Sequence, residues 1–203
     1  MSKKLHWETI YKDKSPEQVS WTQNIPSTSI SFFSDLKIDK KAPIIDVGGG
    51  ESKFVDYLLE KGFENISVLD ISENAINKTK NRLGQLSKKI TWIISDINDF
   101  EPDIKYNFWH DRAVFHFLTS HNEINDYVKK VKLFSENFMI GTFSKSGPEK
   151  CSGLKITQYD QILLDNLFSG DGLNLKKFKY ENHTTPFDTK QNFIFCCFTS
   201  ENN

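Results

Sequence analysis

PIIDVGGG at 43–50, followed by NISVLDI at 65–71, decides the fold of this 203-residue chain. Each segment is an apolar run of strand length, bounded by turn-forming residues. The first ends in Asp46 and three glycines, Gly48, Gly49 and Gly50; the second ends in Asp70 and Ile71. A glycine turn after a parallel strand lets the backbone lie flat against a ligand, because no Cβ stands in the way. A carboxylate at the tip of the next strand accepts hydrogen bonds from a ribose diol. The pair points to a nucleoside-containing cofactor.

Strand and helix patterns alternate outward from this segment. Strand 43–48 leads to a helix over 51–61 with Phe54, Val55, Leu58 and Leu59 on one face, and Gly62 stops it. Strand 65–70 leads to a helix over 73–86, capped by Ser72, with Ala75, Ile76, Thr79, Leu83 and Leu86 as its inner stripe. Strands 90–96, 106–111 and 138–143 follow. A short helix near 113–118 and a longer one over 122–135 separate the last two. Residues 144–156 read as a loop and 157–168 as a helix. Strands 173–181 and 192–199 have no helix between them, so they pair as a hairpin. The pattern predicts an α/β three-layer sandwich with a seven-stranded, mostly parallel sheet and a C-terminal antiparallel hairpin. The chain reads as one domain, with a helical arm or lid over 1–40 and a Rossmann-like core over 41–203.

Composition limits the functions on offer. Hydrophobic residues make up 37%, including 17 Phe, enough for one core. Lys and Arg number 26 against 27 Asp and Glu, so the chain lacks the charge of a dedicated nucleic-acid binder. Cys151, Cys196 and Cys197 are not spaced as a zinc site or a disulfide framework. No apolar run reaches membrane-span length, and the first residues lack a signal-peptide core. A soluble, cytoplasmic protein without metal, membrane or nucleic-acid partners is expected.

In open α/β sheets a ligand sits beyond the carboxyl ends of the strands, where strand order reverses. That rule gathers Gly48–Gly50, Asp70–Ile71, Asp96–Ile97, His110–Arg112 and Phe143–Lys145. A dinucleotide motif would place a third glycine where Lys53 stands, and Glu51 would meet the pyrophosphate with a negative charge. S-adenosylmethionine, cationic and without phosphate, suits this acidic rim better. Asp46 and Glu51 are expected to face its ammonium side and Asp70 its ribose. Asp96 is expected to accept from the adenine amino group, with Ile71 and Ile97 flanking the ring. Each aspartate also has a plain alternative as a helix cap or loop charge.

These residues resemble the glycine core of class I S-adenosylmethionine-dependent methyltransferases. The D-x-G-x-G pattern is Asp46, Gly48 and Gly50, with Asp70 as the acidic tip. More narrowly, HWETIY (6–11), VSWTQ (19–23), WHDRAVFHFL (109–118) and GPEKCSGL (147–154) resemble the group that includes citrate synthase lysine methyltransferase and its bacterial relatives. The resemblance implies methyl transfer that leaves S-adenosylhomocysteine, with a protein lysine or a small molecule as acceptor. Gly49 stands where many members have another small residue. The N/D-P-P-Y/F motif of base- and amide-directed enzymes is absent, His110, Asp111 and Arg112 standing instead.

Transfer from a sulfonium needs alignment and desolvation more than acid–base help. A lysine acceptor would also need a base. His110, Asp111 and Arg112 are the catalytic candidates; an Asp111–Arg112 ion pair is the competing structural account. His116, between Phe115 and Phe117, reads as a packing histidine. Trp21 is expected against the cofactor, with Gln23 and Tyr11 nearby. Lys145, Lys150 and Cys151 follow the fifth strand, where acceptor contacts are placed. Two other readings stay open: a nicotinamide-dependent oxidoreductase, and a non-catalytic module that binds the cofactor.

Overall fold

A computed structural model describes residues 2–200. Two helices, α1 (Lys3–Asp13) and α2 (Ser27–Asp35), precede the sheet. The alternating part runs β1 (Ile44–Val47), α3 (Phe54–Glu60), β2 (Ile66–Asp70), α4 (Glu73–Leu83), β3 (Ile90–Ile94), β4 (Tyr106–Arg112), α5 (His121–Phe134) and β5 (Ser135–Phe143). After it come the two-residue strands β6 (Lys150–Cys151) and β7 (Leu154–Lys155), then α6 (Gln161–Phe168), β8 (Leu173–Thr184) and β9 (Lys190–Ser200).

The seven-stranded sheet has the order β3-β2-β1-β4-β5-β9-β8. Its first five strands are parallel and β9 is antiparallel to both neighbours. Strand order therefore reverses between β1 and β4, the switch point at which open sheets of this kind bind ligands. Central strand β1 is buried throughout, because helices cover both faces of a parallel sheet. Side chains alternate between those faces. Ile45, Val47, Leu69, Trp109 and Ile140 join one apolar cluster, and Ile44, Val68, Phe108 and Met139 join the other.

Caps fix the helix starts. Ser72 accepts from Ala75 N at 3.2 Å, and Ser120 and Glu123 form a capping box. Gly84, at φ +56°, ends α4 earlier than the apolar stripe suggests. Helix α3 starts at Phe54 rather than 51, because residues 48–53 are spent on the turn. Helix α6 starts after its cap Asp160, since Tyr159 N is held by Phe143 O at 3.0 Å. The expected loop at 144–156 contains the short β6–β7 hairpin. The final hairpin is longer than expected, closing through Thr185 N to Thr189 O at 2.8 Å. No helix among the described residues is long and apolar enough to cross a membrane.

Candidate functional site

The turn after β1 is built around its glycines. Gly48 has φ +66°, and a Cβ there would lie 2.0 Å from Val114 Cγ2. Gly48 N and Gly49 N both donate to Leu69 O, at 2.7 and 3.2 Å. Gly50 N donates to Asp70 Oδ2 at 2.9 Å, and Ser72 N to Asp70 Oδ1 at 2.8 Å. Thr79 Oγ1 donates to Gly50 O. The turn is thereby tied to β2 and α4. Each Asp70 oxygen keeps further acceptor capacity. Burial pushes Asp70 up from 3.8 to about 6, against the pull of the Ser72 and Gly50 hydrogen bonds.

Two cavities open at the strand tips. The first, about 820 Å³ with its mouth, contains the ends of β2 and β3: Leu69, Asp70, Ile71, Ser95, Asp96 and Ile97. Its far wall is Val114, Phe117, Phe143, Cys151 and Phe193. The second, about 910 Å³ with its mouth, contains Asp46, Glu51, Ser52, Lys53, Gln23 and His110. Tyr11, Trp21, Gly48 and Arg112 line both. Trp7, Tyr11 and Trp21 pack edge-on or tilted, with ring centroids 5.6–6.2 Å apart, and roof the first cavity.

That roof is held from a distance. Glu8 on α1 accepts from Ser72 Oγ at 2.9 Å, Glu73 N at 2.8 Å and Asn74 N at 3.1 Å. It thus caps the start of α4 from another helix. Burial would raise the Glu8 carboxyl, but these hydrogen bonds outweigh burial and lower it. Neither Glu8 nor Trp7 stood out as a site residue. Helix capping across more than 60 residues leaves no local pattern; the signals in the sequence are the resemblance of HWETIY (6–11) and the density of aromatics in 7–21.

The neighbours His110 and Asp111 separate because strand side chains alternate. His110 points to the α2–α3 face, with Nδ1 2.6 Å from Asp46 Oδ1 and Nε2 2.9 Å from Ser29 Oγ. Ser29 lines neither cavity, so this serine–histidine–aspartate row does not present a nucleophile. Asp46 Oδ2 is buried without a partner, beside Gly49. Asp111 points to the opposite face. Its carboxylate accepts from Tyr127 OH at 2.5 Å and Val114 N at 3.0 Å, and burial pushes it up from 3.8 to about 6. It lines neither cavity, so geometry places it in the frame, not among ligand-facing groups. The competing Asp111–Arg112 ion pair is not formed: Arg112 donates through Nη1 to Trp21 O at 3.0 Å.

The remaining expected residues divide between the cavities. Asp70, Ile71, Asp96 and Ile97 meet in the first. Asp96 also accepts from Asn98 N at 3.0 Å. Glu51 lies in the second cavity, 3.8 Å from Lys78 Nζ, and burial raises its carboxyl. His116 is buried against Phe143, and burial holds it at about 3, a neutral packing ring. Burial pushes the Cys151 thiol up to about 12, so it is no ready nucleophile. Lys145 and Lys150 are exposed.

Fold and site together define a class. Residues 44–133 match the family model described as "Methyltransferase domain". That stretch, under half of the chain, is similar to methyltransferase domains, and the chain has the fold of the class I enzymes. Malonyl-[acyl-carrier protein] O-methyltransferase 2 of Ilyobacter polytropus is 26% identical over 103 residues, 50% of this chain and 39% of that protein. The chain thus spans well under half the length of the curated relatives it matches. An S-adenosylmethionine-dependent methyltransferase from Anabaena variabilis superposes with TM-score 0.72 at 11% identity, covering 99% and 96% of the two chains. The 1,6-didemethyltoxoflavin-N1-methyltransferase of Burkholderia thailandensis, solved with S-adenosylhomocysteine, gives TM-score 0.68 at 14% identity, covering 97% and 86%. At such identities the structural likenesses establish the fold.

Proposed function

We propose that this chain transfers the methyl group of S-adenosylmethionine to a small-molecule acceptor. The observation that carries the reading is the Asp70–Gly50 lock, which sets a carboxylate with spare acceptor capacity at the tip of β2 inside a roofed cavity. The residues fit the cofactor on two further counts. Asp46 Oδ2 is a buried acceptor without a partner, matched to an ammonium. A Cβ at Gly48, Gly49 or Gly50 would fall within 2.6 Å of a side-chain atom of Val114, Asp46 or Ala75, so only glycine lets this turn pack, and Gly48 meets both cavities with bare backbone.

When bound, S-adenosylmethionine supplies a methyl group on a sulfonium, a good leaving group for in-line displacement. Asp70 takes the ribose hydroxyls. Ile71 and Ile97 flank the base, and Asp96 accepts from its amino group. The Trp7–Tyr11–Trp21 roof excludes water, which strengthens the electrostatic contacts beneath it. Phe117, Phe143 and Phe193 give the acceptor an apolar wall. Glu51 and the missing third glycine speak against a nicotinamide dinucleotide.

A protein lysine is the second reading, favoured by the likeness of 6–11, 19–23, 109–118 and 147–154 to the citrate synthase lysine methyltransferase group. The relatives named above, a malonyl-[acyl-carrier protein] O-methyltransferase and a 1,6-didemethyltoxoflavin-N1-methyltransferase, favour acceptors outside that group. Incubation of the protein with methyl-labelled S-adenosylmethionine and cell extract tests both. Label in the low-molecular-mass fraction supports the proposal. Label confined to protein lysines overturns the acceptor class, and no label at all overturns methyl transfer.

A further inference from the structure

Arg112 ends β4 with its guanidinium between the two cavities. Only Nη1 is used, by Trp21 O at 3.0 Å; Nε and Nη2 are out of contact with solvent and have no hydrogen-bond partner. Buried donors of a charged group without partners are costly, so native proteins keep few of them. The nearby carboxylates, Glu181 and Asp46, act on the guanidinium through their charge but make no hydrogen bond to it. Glu181 accepts from Thr28 Oγ1 and from Lys179 Nζ, and Asp46 Oδ1 is held by His110. Burial lowers the guanidinium to about 10, which leaves it charged at neutral pH.

The two idle groups are not a random pair. Nε–H and Nη2–H share one edge of the guanidinium and point the same way, the side-on fork that matches two oxygens of a planar oxyanion. The guanidinium carbon stands 5.8 Å from the Phe193 ring centre. Phe193 lines the first cavity, as do Phe143, Phe117 and Asp70. The guanidinium thus stands beside an apolar ring of the cavity lining.

We propose that the Nε–Nη2 edge of Arg112 binds the carboxylate of the methyl acceptor, so that the acceptor class is small organic acids with an apolar body. The proposal rests on the methyl-transfer reading and names the chemistry of its second substrate. The other carboxylate that can reach a crevice of this kind is the cofactor's own amino-acid end, and the test separates the two.

Isothermal titration compares the wild type with Arg112→Gln and Arg112→Lys, each first checked for a cooperative thermal melt. The probes are S-adenosylhomocysteine, 5′-methylthioadenosine, which lacks the amino-acid end, and benzoate or phenylacetate added to protein saturated with S-adenosylhomocysteine. The expected result has three parts. Both nucleosides shift by the same factor in each variant, because the lost Nη1–Trp21 O bond acts on the cavity lining and not on the amino-acid end. The acids bind wild type, and their affinity falls at least about tenfold in Arg112→Gln, the scale of a lost bond to a charged group. Arg112→Lys, with the charge but no fork, recovers only part. If Arg112→Gln instead weakens S-adenosylhomocysteine but not 5′-methylthioadenosine, the fork serves the cofactor and the acceptor assignment is overturned. Acids that bind no better to wild type than to Arg112→Gln overturn it as well. Failure of both nucleosides to bind wild type overturns the methyl-transfer reading itself, a result distinct from the other three.

Discussion

Asp46 Oδ1 lies 2.6 Å from His110 Nδ1, side by side on adjacent strands, and this contact decides which oxygen of the carboxylate is left for a ligand. The other ring nitrogen, Nε2, pairs with Ser29 Oγ, 2.9 Å away. His110 also packs on Phe54, with ring centres 4.3 Å apart. His110→Ala is therefore expected to open a cavity and free Asp46 to turn, costing about 2–4 kcal/mol of stability. S-adenosylhomocysteine affinity should fall with it. Ser29→Ala should cost about 1 kcal/mol and leave affinity nearly unchanged. Denaturant melts and calorimetry on the two variants check the contrast; equal losses would show that His110 does no more than Ser29.

Gly48→Ala carries two separable costs. The positive φ costs about 1 kcal/mol for any side chain, and the Cβ collides with Val114 Cγ2. The single variant is expected to lose cofactor-product binding. The double variant Gly48→Ala, Val114→Ala removes the collision but not the backbone cost, so binding should return in part. A double-mutant cycle on S-adenosylhomocysteine affinity reads the coupling directly.

Asp70 and Asp111 give the protein a pH signature with a definite sign. Each is raised from 3.8 to about 6 by burial, so the folded state holds protons that the unfolded chain has released. Their contribution to stability is present below pH 3.8 and is lost as pH climbs to about 6. Binding runs the other way, because the ribose needs an ionised acceptor. S-adenosylhomocysteine affinity should rise between pH 5 and pH 7, and Asp70→Ala should remove both the rise and at least about tenfold of the affinity.

Asp111→Asn tests the frame. An amide has one acceptor oxygen, whereas the carboxylate serves Tyr127 OH with one oxygen and Val114 N with the other. The variant is expected to lose about 1–3 kcal/mol, or several degrees in Tm for a chain of this size. Methyl transfer per folded molecule should remain. A variant that folds normally but is inactive would return Asp111 to the catalytic group.

Glu8→Ala should loosen the arm rather than the core. Three hydrogen bonds to the start of α4 disappear, none of them to the sheet. Proteolysis between residues 3 and 21 should accelerate while the denaturant midpoint moves little. Acid should act similarly: because the Glu8 carboxyl is lowered, its contribution is present above 4.5 and is lost as pH falls through its folded value.

Much of this was legible because the chain repeats one local grammar. Alternating strands and helices specify the sheet, and the rule for its carboxyl edge gathers Gly48–Gly50, Asp70, Asp96 and Arg112. Strand alternation also implied that His110 and Asp111 face opposite sides, but adjacency in sequence suggested a joint role. What stayed illegible depends on contacts between distant residues. Glu8 reaches α4, Trp21 O reaches Arg112 across 91 residues, and Cys151 enters the cavity wall through a hairpin too short to carry a pattern.

The aromatic roof has a consequence in time. Its three rings come from α1 and the segment after it, and α1 is fastened to the helix that follows the ribose-binding strand. The three Glu8 hydrogen bonds therefore also set how far these rings can lift from the cavity they line. For the methyl transfer proposed above, the grip of one carboxylate on a distant helix start would tune the traffic of the cofactor as well as the anchoring of the arm.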